Sequence, residues 1–152
     1  KNIQKLKLVK IIKILHSGLK TKFKIRHPAI TVLGLNPHAG EDGKMGAEEI
    51  KIINPAVQIC RDIGINASYA ISADTAFNTK KLKQTDAYLA MYHDQALPVL
   101  KAFSFGEAIN ITLGTSIVRT SVDHGTALDI AGKMKPNLGS IKEAIQLAEI
   151  QL

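Results

Sequence analysis

The sequence contains no tryptophan, and aromatic residues make up only 5% of its 152 residues. The core must therefore be built from aliphatic side chains and alanine. Cys60 is the only cysteine, so no disulfide can form within the chain, which suits a reducing compartment and predicts a cytoplasmic protein. No apolar stretch approaches the roughly 20 residues that cross a bilayer, so we expect no membrane partner.

Acidic residues are absent from residues 1–26, which hold nine lysines and arginines. The rest of the chain holds eleven basic and thirteen acidic residues, so the net charge of +7 belongs to this first segment. Apolar residues at helical spacing over 3–15 predict a basic amphipathic helix followed by a loop. Such a helix can bind nucleic acid, or it can pack on a core beneath a lysine-covered surface. We favour the second interpretation and predict no nucleic-acid partner.

Short β-branched runs alternate with helical patterns along the rest of the chain. A helix over 47–63 is expected to be disturbed at Pro55 and stopped by Gly64. A closing helix is predicted from Ser140, with that residue as N-cap and Glu143 completing a capping box. Further helix is predicted over 95–101, and strands are predicted over 29–35, 67–71, 87–92, 109–113 and 118–121. This alternation indicates an α/β fold with a largely parallel sheet.

Two histidines directly follow predicted strands. His38 lies in a glycine-rich loop after the strand 29–35, and His93 precedes Asp94 after the strand 87–92. Ligands in parallel sheets bind beyond the carboxyl ends of the strands, and imidazole is a favoured metal ligand that a carboxylate such as Asp94 can orient. Two histidines 55 positions apart match no short metal motif, however, so loop histidines bonded to backbone remain an alternative.

Several polar residues in the last third of the chain are candidates for binding anionic groups. Lys101, Asn110 and Arg119 lie near the ends of predicted elements, where they either converge on a phosphate or carboxylate or simply occupy the surface. The segment 123–133 leaves a strand through His-Gly-Thr and enters a helical start, whose amides can hold an anionic ligand or form an ordinary turn. Neither a GxGxxG fingerprint nor a P-loop is present.

Longer strings carry a specific resemblance. GLNPHAGEDGKMGAEE at 34–49, LAMYHDQALPVLK at 89–101 and NITLGTSIVRTSVDHGTALDIAGK at 110–133 resemble the 4-hydroxythreonine-4-phosphate dehydrogenase family, as does ADTAF at 73–77. The resemblance implies an isopropylmalate-dehydrogenase-like α/β/α fold. The chain lacks an initial Met and opens inside a helical pattern, so we expect a fragment of a longer protein. The resemblance implies that residues 1–152 are one α/β unit from the C-terminal part of a two-domain enzyme.

The resemblance also implies a set of site residues. His38 and His93 match two of three histidine ligands of a divalent metal (Zn, Mg, Mn or Co), the third belonging to a segment upstream of this chain. Substrate contacts match Lys101, Asn110 and Arg119, and Asp94 and Lys101 are candidates for proton transfer. The turn that holds the NAD(P) adenosine in the wider superfamily matches residues of the last string: His124, Gly125, Thr126 and Asp129.

The implied reaction is NAD(P)-dependent oxidation of 4-phosphohydroxy-L-threonine, followed by decarboxylation to 3-amino-2-oxopropyl phosphate in pyridoxal phosphate synthesis. The family is homodimeric with shared active sites, and we expect this chain alone to be inactive. Two alternatives stay open: a dehydrogenase of another phosphorylated hydroxy acid, such as threonate or erythronate phosphate, and a non-catalytic binding domain that uses the basic helix.

Overall fold

The computed structural model of the protein describes residues 3–104, 107–125, 128–133 and 137–151. The chain forms two compact units, Lys1–Ala96 and Leu97–Leu152. Helices and strands occur in both, so the predicted α/β class is confirmed. None of the helices within the described ranges is long and apolar enough to span a membrane.

The first unit begins with helix α1, Lys5–Thr21. Leu8, Ile12 and Leu19 are buried at helical spacing, while its lysines point outward. The helix extends six residues beyond the predicted end at residue 15, because Leu19 continues the apolar face by another turn. It ends well before the His27-Pro28 step.

The first unit contains a two-stranded parallel sheet. Strand β1, Ile30–Val32, pairs with strand β2, Ala87–Leu89, with Ile30 opposite Ala87. The strand predicted over 67–71 forms only isolated parallel bridges, from Ala67 to Ile30 and from Ile71 to Leu33. Both strands are shorter than predicted, and the core of the unit lies on β1, whose three residues are buried.

The helix predicted over 47–63 is divided as the proline suggested. A π-helical turn, Glu49–Ile53, leads into α2, Asn54–Asp62, whose first turn contains Pro55. Proline has no N–H for the helical ladder, so the hydrogen-bond pattern changes at this point. Gly64 follows α2 with φ 85°, the left-handed conformation that ends many helices. Ile53 and Val57 are fully buried, and α2 packs on α1.

A short helix, α3, Thr79–Leu82, completes the secondary structure of the first unit before β2. The second unit begins with α4, Leu97–Ser104, which starts two residues later than predicted because His93–Gln95 forms a separate 3-10 turn.

Strands β3, Ile109–Ile111, and β4, Thr120–Val122, form an antiparallel hairpin in the second unit. The parallel pairing predicted for the sheet therefore holds for β1 and β2 but not here. Helix α5, Gly139–Gln151, packs on the hairpin. It begins one residue before Ser140, so the predicted N-cap is wrong. The Ser140 hydroxyl instead donates to the Ala108 carbonyl and accepts from the Asp123 N–H.

Candidate functional site

The loop after β1 carries His38 and is folded around Asn36. The Asn36 Oδ1 accepts from the N–H groups of His38 and Gly40 at 3.1 and 3.0 Å, and its Nδ2 donates to the Met45 carbonyl at 2.8 Å. Ala39 and Gly40 have φ values of 51° and 80°, so the chain turns sharply next to His38. One amide side chain therefore holds both ends of the loop.

A buried carboxylate supports the same loop from the π-helical turn. Glu49 is 3% exposed, and its Oε1 accepts from the Leu35 N–H at 2.7 Å. Its Oε2 is buried with no hydrogen-bond partner and lies against Gly40, where an added Cβ would stand 2.7 Å from it. Close approach to Glu49 thus requires glycine at position 40. Nothing in the helical pattern of residues 47–63 marks Glu49 as buried.

The ends of the two parallel strands are joined by Gln95. Its Nε2 donates to the Gly34 carbonyl at 2.6 Å, and its Oε1 accepts from the Met91 N–H at 2.7 Å. Gly34 follows β1 and Met91 follows β2, so this side chain, only 9% exposed, connects the backbone leading to His38 with that leading to His93. The sequence pattern predicted only that Gln95 belongs to a helix.

Both histidines lie beyond the carboxyl ends of β1 and β2, at the same edge of the parallel pair. The His38 Nδ1 is 3.4 Å from the Glu41 Oε1, and the His93 Nδ1 is 2.7 Å from the Asp94 Oδ1. Their side chains are 52% and 78% exposed. A carboxylate beside Nδ1 favours the tautomer that presents Nε2 as a ligand.

This donor chemistry fits two ligands of a divalent metal ion. Within the described ranges, no group of three or more histidine, cysteine, aspartate or glutamate side chains could hold a metal. The described residues thus offer two imidazoles with carboxylate partners as candidate metal ligands.

In the second unit, Lys101 is bound to Asp123. The Lys101 Nζ donates to the Asp123 Oδ2 at 2.9 Å and to its carbonyl at 2.8 Å. The Asp123 side chain is only 9% exposed. The hydrogen bond from Lys101 lowers the pKa of Asp123, and Ser140 contributes in the same direction. The sequence signal that singled out Lys101 did not identify its carboxylate partner.

The hairpin places two other candidates on one face. Asn110 is paired with Ser121, and Ile111 with Thr120, so Asn110 and Arg119 project to the side opposite Thr120. Thr120 faces α5, since its hydroxyl donates to the Ala144 carbonyl. Arg119 and Asn110 are exposed, and the Arg119 Nη1 donates to the Thr112 hydroxyl at 3.1 Å. The free face of the hairpin therefore carries a guanidinium and an amide.

The candidates for holding NAD(P) are only partly described. The Nδ1 of His124 lies 2.9 Å from the Gly125 carbonyl, and a Cβ added at Gly125 would meet nothing within 4 Å. Thr126 and the side chain of Asp129 lie outside the described residues. A 3-10 turn, Leu128–Ile130, stands where a helical start was predicted.

Taken separately, the units define an α/β protein with histidines at the ligand-binding edge of a parallel strand pair and with an arginine and a lysine in a second compact unit. The family described as pyridoxal phosphate biosynthetic protein PdxA matches residues 1–148, so the chain belongs to this family.

Individual relatives agree with this membership. A 4-hydroxythreonine-4-phosphate dehydrogenase of Chromobacterium violaceum is 59% identical over 142 residues, covering 93% of this chain and 43% of that protein. The crystal structure of a protein of that name from Klebsiella pneumoniae matches 99% of this chain and 46% of its own, with a TM-score of 0.85 and 35% identity. The chain spans less than half the length of these relatives.

A third match carries a different name. The crystal structure of a terephthalate 1,2-cis-dihydrodiol dehydrogenase from Burkholderia xenovorans has a TM-score of 0.73 and 28% identity, covering 97% of this chain and 47% of its own. The fold is therefore shared by dehydrogenases named for different substrates.

Proposed function

We propose that this chain is part of a metal-dependent dehydrogenase that oxidises 4-phosphohydroxy-L-threonine with NAD(P), with decarboxylation to 3-amino-2-oxopropyl phosphate, in the cytoplasm. The observation that carries the proposal is the pair of histidines at one edge of the parallel strands, each with a carboxylate near Nδ1. Family membership and the relatives' printed names support the reaction and the substrate.

His38 and His93 would hold the divalent metal, which is Zn, Mg, Mn or Co, through their ring nitrogens. When bound, such a metal would supply Lewis-acid chemistry that favours an alkoxide over an alcohol and polarises a carbonyl oxygen. Gln95 and Asn36 keep the two histidine loops in place, and Glu41 and Asp94 orient the rings. Asp94 is 83% exposed beside His93, and the proton-transfer role proposed for it rests on the family resemblance.

The second unit would bind the anionic parts of the substrate. Arg119 presents a planar set of donors that matches a phosphate or carboxylate, and Asn110 adds an amide on the same face of the hairpin. Lys101 would supply a further charge or a proton, and the turn at His124, Gly125, Thr126 and Asp129 would hold the cofactor's adenosine. As in the family that it resembles, the active protein would be a homodimer.

A chimera tests this proposal directly. The chain replaces the matching 142 residues of the Chromobacterium violaceum protein, and NADH formation is measured with the phosphorylated substrate and Co²⁺. We expect activity from the chimera and none from residues 1–152 alone. His38→Ala and His93→Ala should each abolish activity, whereas His27→Ala, which alters an exposed histidine away from β1 and β2 carboxyl ends, should not. Full activity in either of the first two variants would contradict the proposed metal site.

A second candidate function differs only in the substrate. The likeness to the terephthalate dihydrodiol dehydrogenase favours including a cis-dihydrodiol in the substrate panel, together with threonate and erythronate phosphates. If Arg119 binds a phosphate, Arg119→Met should raise the KM for phosphorylated substrates far more than that for a dihydrodiol. An active chimera that prefers the dihydrodiol would replace the substrate proposed here.

A further inference from the structure

The surroundings of Lys101 differ from those expected of a lysine that binds a substrate phosphate. A lysine that binds a substrate phosphate as a point charge needs its ammonium turned to the ligand. Here the ammonium makes two hydrogen bonds to one residue, to the Asp123 Oδ2 at 2.9 Å and to the Asp123 carbonyl at 2.8 Å. The carboxylate is better shielded than the ammonium, with side-chain exposures of 9% and 29%. The pair therefore has a defined geometry and a charge that is locally balanced.

Asp123 is itself held by a buried hydroxyl. Ser140 is 2% exposed, and its Oγ accepts from the Asp123 N–H at 3.1 Å while donating to the Ala108 carbonyl at 2.7 Å. Ala108 precedes β3, Asp123 follows β4, and Ser140 lies in the first turn of α5. The backbone of Asp123 is thus tied to two other elements of the second unit, and Lys101 reaches its carboxylate from α4.

We propose that Asp123 is a positioning residue that fixes the Lys101 ammonium and balances its charge, so that Lys101 serves as an oriented proton donor while Arg119 binds the anionic group. The role of Lys101 in chemistry depends on the proposed function, but its fixation by Asp123 does not. Arg119 suits the second task because it projects from the exposed face of the hairpin and donates to the neutral Thr112 hydroxyl. The amide of Asn110 on the same face adds a donor without charge.

Competitive acetylation of lysines in the 152-residue protein, read by mass spectrometry, tests the fixation without any substrate. Lys101 should react more slowly than Lys142 on α5, which is exposed and serves as the reference within the unit. Asp123→Asn should raise the rate at Lys101 relative to Lys142 by about threefold to tenfold, the range for losing one partly buried charge-assisted hydrogen bond. Glu107→Gln, which removes an exposed carboxylate from the same unit, should leave the ratio unchanged.

The change in the acetylation ratio of Lys101 to Lys142 either supports or overturns the proposal. A rise at Lys101 alone, reversed in part by Asp123→Glu, supports it. An unchanged ratio overturns it, and so does an equal rise at both lysines, since the carboxylate would then hold the unit together rather than the ammonium. Because no cofactor, metal or substrate is present, an inactive chimera would refute the proposed reaction and leave this result standing.

Discussion

Gly40 offers the sharpest test of how the His38 loop is built. Its φ of 80° is one that residues with a Cβ rarely adopt, and an added Cβ would stand 2.7 Å from the Glu49 Oε2 and 3.2 Å from the Gly46 carbonyl. Gly64 has nearly the same φ, 85°, but a Cβ there would meet nothing within 4 Å. Comparing alanine substitutions at the two glycines therefore separates the free-energy cost of the left-handed backbone from that of the collision.

The expected losses of unfolding free energy follow from the cost of the left-handed backbone and the cost of the collision. Gly64→Ala should lower the free energy of unfolding by about 1–2 kcal/mol, the cost of a left-handed residue with a Cβ. Gly40→Ala should cost about 1–3 kcal/mol more, since the Glu49 carboxylate is buried and hydrogen-bonded to Leu35 and cannot simply turn away. In a Glu49→Ala background the collision with the carboxylate is removed and only the tighter contact with the Gly46 carbonyl remains, so the difference between the two alanine substitutions should become much smaller.

Hydrogen exchange at the amides of β1 and α2 measures this difference within the first unit, with urea unfolding as a second measure. The double-mutant cycle between positions 40 and 49 should give a coupling of about 1 kcal/mol or more. If Gly40→Ala costs no more than Gly64→Ala, or if the coupling vanishes, then Glu49 does not constrain the loop that carries His38 and the description of this loop is wrong.

Three further predictions concern other parts of the molecule. Gln95→Met leaves the Gly34 carbonyl and the Met91 N–H without their partner, so it should cost about 2–4 kcal/mol and speed exchange at residue 91, whereas Gln84→Met on the surface should not. Ile53→Ala removes a fully buried side chain from the core and should cost about 2–5 kcal/mol, against less than about 1 kcal/mol for Ile50→Ala, whose side chain is half exposed. Because Lys101 lowers the pKa of Asp123, this carboxylate should stabilise the second unit above the pKa of an unfolded aspartate, with the benefit lost as pH falls through the lower folded pKa. Asp123→Asn should therefore reduce stability at neutral pH and flatten its decline in acid, as measured by thermal unfolding across that range, and an unaltered profile would show that the pair contributes nothing.

Local pattern predicted those features that depend on residues near one another in sequence. The parallel strands, the position of both histidines after them and the disturbance at Pro55 all follow from short-range chemistry, and the structure has each of them. The lengths of the elements were less predictable. The end of α1 depends on Leu19 reaching the core, and the antiparallel pairing of β3 with β4 depends on the turn between them.

The supporting contacts of the candidate site could not be predicted in this way, because they join distant positions. Gln95 reaches Gly34 across 61 positions, and Lys101 reaches Asp123 across 22. Ser140 was assigned to a helix cap because its spacing to Glu143 suits one, yet its hydroxyl is used between Ala108 and Asp123. A cap and a tertiary hydrogen bond call for the same residue type, so composition alone does not separate them.

The burial of a polar side chain distinguishes a tertiary hydrogen bond from a helix cap where the residue type alone does not. Four polar or charged side chains are buried within the described parts of the chain, and three of them, Glu49, Gln95 and Ser140, bond to backbone next to candidate site residues. Removing such groups from water is costly, so a fold retains them where the hydrogen bonds that they make are needed. Here those bonds hold the segments of His38 and His93, whose side chains are exposed, and the backbone of Asp123, which binds Lys101. Under the proposed function, the exposed residues would carry the chemistry, and the buried ones beside them would determine where it occurs.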